Sequence, residues 1–458
     1  MVAWAALAVA ALVPLAGPGL DAAAAPAAGL EGRPPVAQAS PLQARLDAAA
    51  PGATLEVAAG TYAGDLLIAK PVRLLGRGRP RLVGSGAGSV VRVRAAGVVV
   101  AGFDIDGRNG GDLGRDSAGI HVAARGVTIR DCRIERSLFG VYLLAADGAR
   151  VEGCTIRGIP GREPGEKGSG IHVWNTDGFH LARNLIVGVR DGFYIQSSSH
   201  GTIAGNQARD LRYGLHYMFS NDNLFEDNLF ENGAAGTALM YSQRITFRRN
   251  RFLHNRGFAS VGLLLKACDE VVAEDNLIAD NARGIFLEGS YRNLFRRNVV
   301  ASSDTAIILY DSCAENRFTG NSFVANLSPL QLVGQRTDTV FAGNYWSDND
   351  EPDLDGDGRS DRPYRLSSVF DHFRGNLTAA DLMAQSLAAA TLAVAEEAFP
   401  VLQPIPVEDP APLARPPRGA AADLARRPAG AVNARGIAAS LAALAIGALV
   451  LGRGRRAP

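Results

Sequence analysis

One position, usually Asn, returns at a near-constant interval through most of the chain. Asn184, Asn206, Asn228, Asn250, Asn276, Asn298, Asn321 and Asn344 are separated by 22, 22, 22, 26, 22, 23 and 23 residues. Extended backwards, the same position holds Cys154 and Cys132, and the longer step from Cys154 to Asn184 contains the insertion GREPGEKG. An apolar column runs three residues before the marker (Ile129, Val151, Leu181, Ile203, Phe225, Phe247) and another two residues after it (Ile134, Ile156, Ile186, Phe230, Phe252). Fourteen before it stand Gly140, Gly170, Gly192, Gly214, Gly236, Gly262 and Gly284. A unit of this length cannot bury its apolar face alone and does so by stacking on copies of itself. The pattern therefore predicts an all-β parallel solenoid with coils of about 22 residues, like residues lying ~4.8 Å apart up the stack. The Asn column is expected to bond the backbone of the next coil at a turn, and the Gly column to supply a φ > 0 bend. The Leu-x-x-Leu-x-Leu pattern of a leucine-rich repeat is absent.

Strand alternation then sorts the residues that follow the Gly column. One set is Ile171/Val173, Phe193/Ile195, Leu215/Tyr217 and Leu263/Leu265, which is apolar and should face the core. The other is His172/Trp174, Tyr194/Gln196, His216/Met218, Ala238/Met240, Leu264/Lys266 and Phe286/Glu288, which should face outward. Met240 is placed one coil above Met218, and His172 two coils below His216. A long solenoid face carries mixed residues in any case, and a methionine there can simply cover a loop. Imidazole and thioether together suit Cu(I), however, whereas structural zinc would call for thiolates. His172, His216, Met218 and Met240 are therefore the candidate copper ligands.

The four cysteines do not form a CxxC pair. Cys132 and Cys154 share one column on adjacent coils, close enough for a disulfide and equally compatible with stacked reduced thiols. Cys268 and Cys313 fall two coils apart, too far to bond. A second candidate site is DLDGDGRSD: Asp353, Asp355, Asp357, Gly358 and Asp361 match positions 1, 3, 5, 6 and 9 of an EF-hand-type Ca²⁺ loop. Position 12 is Tyr364 instead of Glu, so an acidic turn closing the solenoid is the competing reading.

The ends are different in character. Residues 1–25 read as a secretory signal, although a basic leading segment is missing. The solenoid is expected over 42–364, and a C-terminal helix (Thr378 to Phe399) with a Pro-rich extended arm over 365–418. A linker over 419–435 leads to an apolar stretch at 436–453, a membrane anchor or a sorting tail followed by basic residues. With 47 basic and 46 acidic side chains and a net charge of +1, no field favours nucleic acid.

Taken together, RDGFYIQSSSHGT, RDLRYGLHYMFSNDNLFEDN, AGTALMYS, NRGFASVGLLLKACD, NARGIFLEGS and GNYWSD with DLDGDG and DRPY resemble the NosD family, over about residues 42 to 418. The resemblance implies an exported, periplasmic, right-handed parallel β-helix with an accessory role, not an enzyme. It further implies copper as cargo and, as partners, an ABC transporter (ATPase and membrane subunit), a copper-donating lipoprotein and nitrous oxide reductase, whose copper sites are assembled. The apolar C-terminal tail departs from the family pattern. A rival reading on the same fold is a secreted polysaccharide lyase, hydrolase or epimerase. Against it, the outer face offers His, Met, Tyr and Ala where a lyase needs clustered acids and a nearby base. A purely structural adhesin would leave the His/Met face without a role.

Overall fold

In the computed structural model, which describes residues 40–111, 116–257, 259–366, scattered positions between 386 and 395, and 407–417, the chain winds into a parallel solenoid from Thr54 to Trp346. One wall is a sheet of 13 short strands in unbroken parallel register, from Thr54–Val57 through Thr246–Arg248 to Val340–Ala342. The remaining strands of the solenoid make a second, 23-stranded sheet. It carries two ladders, which merge where the strands Gln207–Met218 and Leu229–Gln243 continue without a break. The interior is one apolar cluster running from Leu42 to Val407. Phe225 stacks on Phe247 at 4.8 Å, Phe295 on Phe318 at 4.4 Å, and Phe323 on Trp346 at 4.2 Å. Like residues a strand spacing apart thus form continuous columns, as the repeat requires.

The marker asparagines form a buried hydrogen-bonded ladder. From Asn206 onward each Oδ1 accepts both the backbone N–H and the side-chain N–H of the marker one coil earlier, as Asn228 does from Asn206 at 3.0 Å in each case. Each Nδ2 donates to the carbonyl three residues ahead of that earlier marker, as Asn228 does to Ile203 at 2.8 Å. Every amide is thereby paired inside the core, where an unpaired one would be costly.

The glycine column has a different origin from the expected bend. None of Gly140, Gly170, Gly192, Gly214, Gly236, Gly262 and Gly284 has positive φ. A Cβ at Gly214 would lie 2.5 Å from the Gly236 carbonyl oxygen and 2.7 Å from the Phe230 ring, and the other six meet comparable obstructions. Glycine is required because backbone and core side chains of neighbouring coils press against that spot. The left-handed residue sits one position before the marker instead, at Asp131, Arg183, Asp227, Arg249, Asp275 and Arg297 among others. Arg249 makes a bidentate pair with Asp227 one coil below (2.9 and 3.0 Å), and Arg297 likewise pairs with Asp275.

Both ends are closed. At the start, the helix Pro41–Ala48 buries Leu42 and Leu46, and Gln43 exchanges two hydrogen bonds with the backbone of Leu67. At the far end, residues of the expected arm fold back onto the last coil, so this part does not extend away. Asp409, fully buried, stands where the next marker would stand: its carboxylate accepts from the N–H and Nδ2 of Asn344, from Gly343 N–H and from Trp346 Nε1. Leu413 N–H donates to the Asn344 carbonyl, as Tyr345 does to Asn321 one coil earlier. Residues 409–413 therefore act as a surrogate coil that satisfies the edge a solenoid would otherwise expose. The antiparallel pair Tyr364–Arg365 with Glu408–Asp409 brings the two ends of the intervening stretch together.

All four cysteines are buried free thiols. Cys268 and Cys313 belong to a column of Thr176, Ser198, Ser220, Ser242 and Ser290, and Ser290 lies between them. The expected signal at 1–25, the linker at 419–435 and the apolar tail at 436–453 lie outside the described residues, as does most of the expected helix. Among the described residues no helix is long and apolar enough to cross a membrane.

Candidate metal-handling face

The inward set is buried as expected: Ile171, Val173, Phe193, Ile195, Leu215, Tyr217, Leu263 and Leu265 are solvent-inaccessible. Register aligns the outward set into two columns. The first reads His121, Tyr142, His172, Tyr194, His216, Ala238, Leu264 and Phe286. The second reads Leu144, Trp174, Gln196, Met218, Met240, Lys266 and Glu288.

The first column is an alternating stack of imidazole and phenol rings. His121 lies 5.2 Å from Tyr142, Tyr142 4.4 Å from His172, and His172 4.4 Å from Tyr194, stacked in nearly parallel planes. His216 closes it edge-on to Tyr194 at 4.9 Å. His172 is consequently not at the surface, the position its outward orientation implied. It is 7% exposed, Phe139 packs edge-on against it, and neither ring nitrogen has a hydrogen-bond partner among the described residues. Burial, with Arg190 and His216 adding to it and Asp191 opposing, pushes this imidazole down to about 3. It stays neutral where a free histidine would charge. The unfolded chain then takes up a proton near pH 6.5 that the folded chain refuses, so stability falls as pH drops below that value. We expect the fold to lose about 2 kcal/mol more between pH 7 and pH 5 than a His172→Phe variant, which keeps the stack. Urea unfolding at the two pH values checks this; identical pH slopes would contradict it.

His216 has a different environment. Its Nδ1 lies 3.4 Å from Oδ2 of Asp191, a fully buried carboxylate held bidentately by Arg212 at 2.9 and 2.7 Å. Burial alone would raise the Asp191 carboxyl, but His216 and Arg212 hold it down at about 2. An anion facing Nδ1 favours the proton there and leaves the Nε2 lone pair available, the arrangement found behind many metal-binding histidines. Tyr213 packs edge-on against the same ring and carries Arg212 over its face at 4.4 Å. Met218 follows on the same strand face, and Met240 is its direct register partner; both are partly exposed. Register thus places His216, Met218 and Met240 on one face of two adjacent strands and leaves His172 two coils away. One imidazole and two thioethers, with no thiolate, make a soft donor set matched to Cu(I).

The acidic loop is partly assembled. Oxygens of Asp353, Asp355 and Asp357 can lie within 4.8 Å of one another, and among the described residues no other group of three His, Cys, Asp or Glu does so. The Asp361 carboxylate instead accepts the Leu354 N–H at 2.6 Å. The loop also braces the surrogate coil: Ser360 N–H donates to the Pro412 carbonyl, and Ala414 N–H to that of Gly358.

Sequence reasoning missed Asp191 and Asp409. Asp191 immediately precedes the column glycine Gly192, and only its pairing with an Arg and a His of the next coil gives it a role. Asp409 follows Asn344 by 65 residues, outside any period. The ring ladder was open to detection, since His121 and Tyr142 continue the His172 column downward.

Fold and face together define a parallel β-solenoid whose outer wall carries His216, Met218 and Met240. The family model described as "Periplasmic copper-binding protein (NosD)" matches residues 157–351. A Pseudomonas aeruginosa protein named "Probable ABC transporter binding protein NosD" is 30% identical over 381 residues, 79% of this chain and 88% of its own. A Stutzerimonas stutzeri protein of the same name is 29% identical over 379 residues, 78% and 86% of the two chains. The chain belongs to the NosD family of periplasmic copper-binding proteins. Among solved structures, the A-module of Azotobacter vinelandii mannuronan C-5 epimerase AlgE4 matches with a TM-score of 0.51, 17% identity, and 65% and 94% coverage of the two chains. A PL6 alginate lyase matches at 0.52 and 14%, covering 67% and 82%. At such identities these two share the fold alone.

Proposed function

We propose that this chain is an accessory protein of copper-site assembly in nitrous oxide reductase, handling Cu(I) in the periplasm and not itself an enzyme. The observation that carries the reading is the outward face that sets His216 and Met218 two apart on one strand and Met240 beside Met218 in register, with Asp191 behind the imidazole. In this reading a copper-donating lipoprotein supplies the ion. An ABC transporter, ATPase and membrane subunit together, engages the stretch between residues 366 and 407, whose two ends are pinned at the base of the solenoid. The apolar tail at 436–453 would hold the chain near the membrane. Ca²⁺ on Asp353, Asp355 and Asp357 would stiffen the loop that braces the surrogate coil, a structural role. The names of the two relatives, both transporter binding proteins, support the transporter partner.

The test is the copper content of the reductase purified from cells in which His216→Ala/Met218→Ala/Met240→Ala replaces the parent chain. We expect reductase protein at normal abundance with copper reduced at least tenfold. Full copper loading in those cells would contradict the reading.

A further inference from the structure

The short strands that follow the marker point alternate side chains into the core and away from it. In Leu277–Ala279, Val299–Ala301 and Ser322–Val324 the middle residue (Ile278, Val300 or Phe323) belongs to the core, so the flanking residues face outward. They are nevertheless sealed: Leu277 is 9% exposed, Val299 2%, Ala301 7% and Ser322 1%. From Arg133–Glu135 to Arg251–Leu253, none of the corresponding outward residues is buried. Composition alone does not account for the difference, since Leu185 and Val187 are as apolar and stay partly exposed. Among the described residues, the apolar side chains packed on Leu277, Val299 and Ala301 are Leu253, Ala279 and Val324 of the same face. The cover is present on a single chain, so it comes from another part of that chain.

Position and chemistry single out one segment. The strands of this strip lie one to three spacings of ~4.8 Å below Tyr345–Trp346, the last strand of the solenoid. The stretch 367–406 both begins and ends beside that strand. Leu366 N–H donates to the Val407 carbonyl at 2.9 Å, and Tyr364, stacked on Trp346, pairs with Asp409. Within the stretch, Leu387, Thr391, Leu392 and Ala395 are helical, and Thr391 Oγ1 donates to the Leu387 carbonyl one turn back. Leu387 is 84% exposed and Thr391 is exposed, whereas Leu392 and Ala395, three apart on another side of the helix, are partly covered. We infer that the strip of Leu277, Val299 and Ala301 is the docking surface for the chain's own segment 378–399, which lies on it as a helix with Leu392 and Ala395 toward the sheet. The bare side, with Leu387, is the side a partner of this stretch meets. The docking does not depend on the copper reading.

The test uses the full chain with Ala301→Cys as a reporter, since all four native thiols are buried. Its alkylation rate is compared with and without Leu392→Asp, and Leu185→Cys on the same face serves as the uncovered control. Alkylation of a covered thiol follows the fraction of time the cover is away. We expect Ala301→Cys to react at least about tenfold faster once Leu392→Asp is added, the scale of losing one buried leucine contact. Leu185→Cys should react at one rate in both backgrounds, and the native thiols should stay unlabelled. An unchanged Ala301→Cys rate would overturn the docking. If the native thiols label as well, the fold has opened, and the decision passes to the photo-crosslinker p-benzoylphenylalanine in place of Val324 in the otherwise unaltered chain. A crosslink within one chain to residues 378–399 is then expected. A crosslink to any other segment or to a second copy, or none at all, would overturn the docking.

Discussion

Asn228→Ala is expected to destabilise the solenoid by about 4 kcal/mol, a loss typical of any interior rung of this ladder. The substitution removes the acceptor for the Asn206 N–H and Nδ2 and the donor to the Ile203 carbonyl, all in fully buried surroundings. Each buried polar group left unpaired costs about 1–3 kcal/mol. The Asn206 Nδ2 can relax partly, because it also serves the Leu181 carbonyl. No local rearrangement supplies the Asn206 N–H, since the column above and below is already saturated. Solenoids unfold by neighbouring coils, so the loss should appear first around residues 206–250. Hydrogen exchange resolved along the chain checks both magnitude and place. A loss below about 1 kcal/mol, or one spread evenly over all coils, would contradict the ladder's role.

The second large effect concerns Cu(I). Removing the imidazole and both thioethers should lower affinity at least a hundredfold, because loss of a single supporting partner behind a ligand already costs about 10–100-fold. The fold should register the loss of His216, whose largely covered ring pairs with the buried Asp191, but hardly that of Met218 and Met240, which face outward and are partly exposed. His172→Ala is expected to behave in the opposite way. It sits inside the ring stack without exposing a nitrogen, so its loss should disturb packing and leave copper binding near that of the parent.

The period, the marker asparagines and the two faces of the strand after the glycine column were legible because a solenoid maps sequence interval directly onto spatial neighbourhood. Residues 22 apart touch, so His216, Met218 and Met240 could be placed on one surface before any coordinates. The same logic misjudged His172. Its outward direction was right, but exposure depends on what else stands in the column, and Tyr142, Tyr194 and Phe139 cover it. The glycine column was located correctly and explained wrongly, since periodicity shows that a side chain is forbidden without showing whether φ or crowding forbids it. Asp409 illustrates the remaining gap. A residue that substitutes for a missing coil has to be close in space, and 65 intervening residues conceal that from the repeat.

The most direct measurement is an anaerobic Cu(I) titration of the chain against a competing chelator, run in parallel on the His216→Ala/Met218→Ala/Met240→Ala variant. Tight binding by the parent is expected, and at least a hundredfold weaker binding by the variant, with both folded. Equal affinity in the two proteins would contradict it and return this face to solvated scaffold.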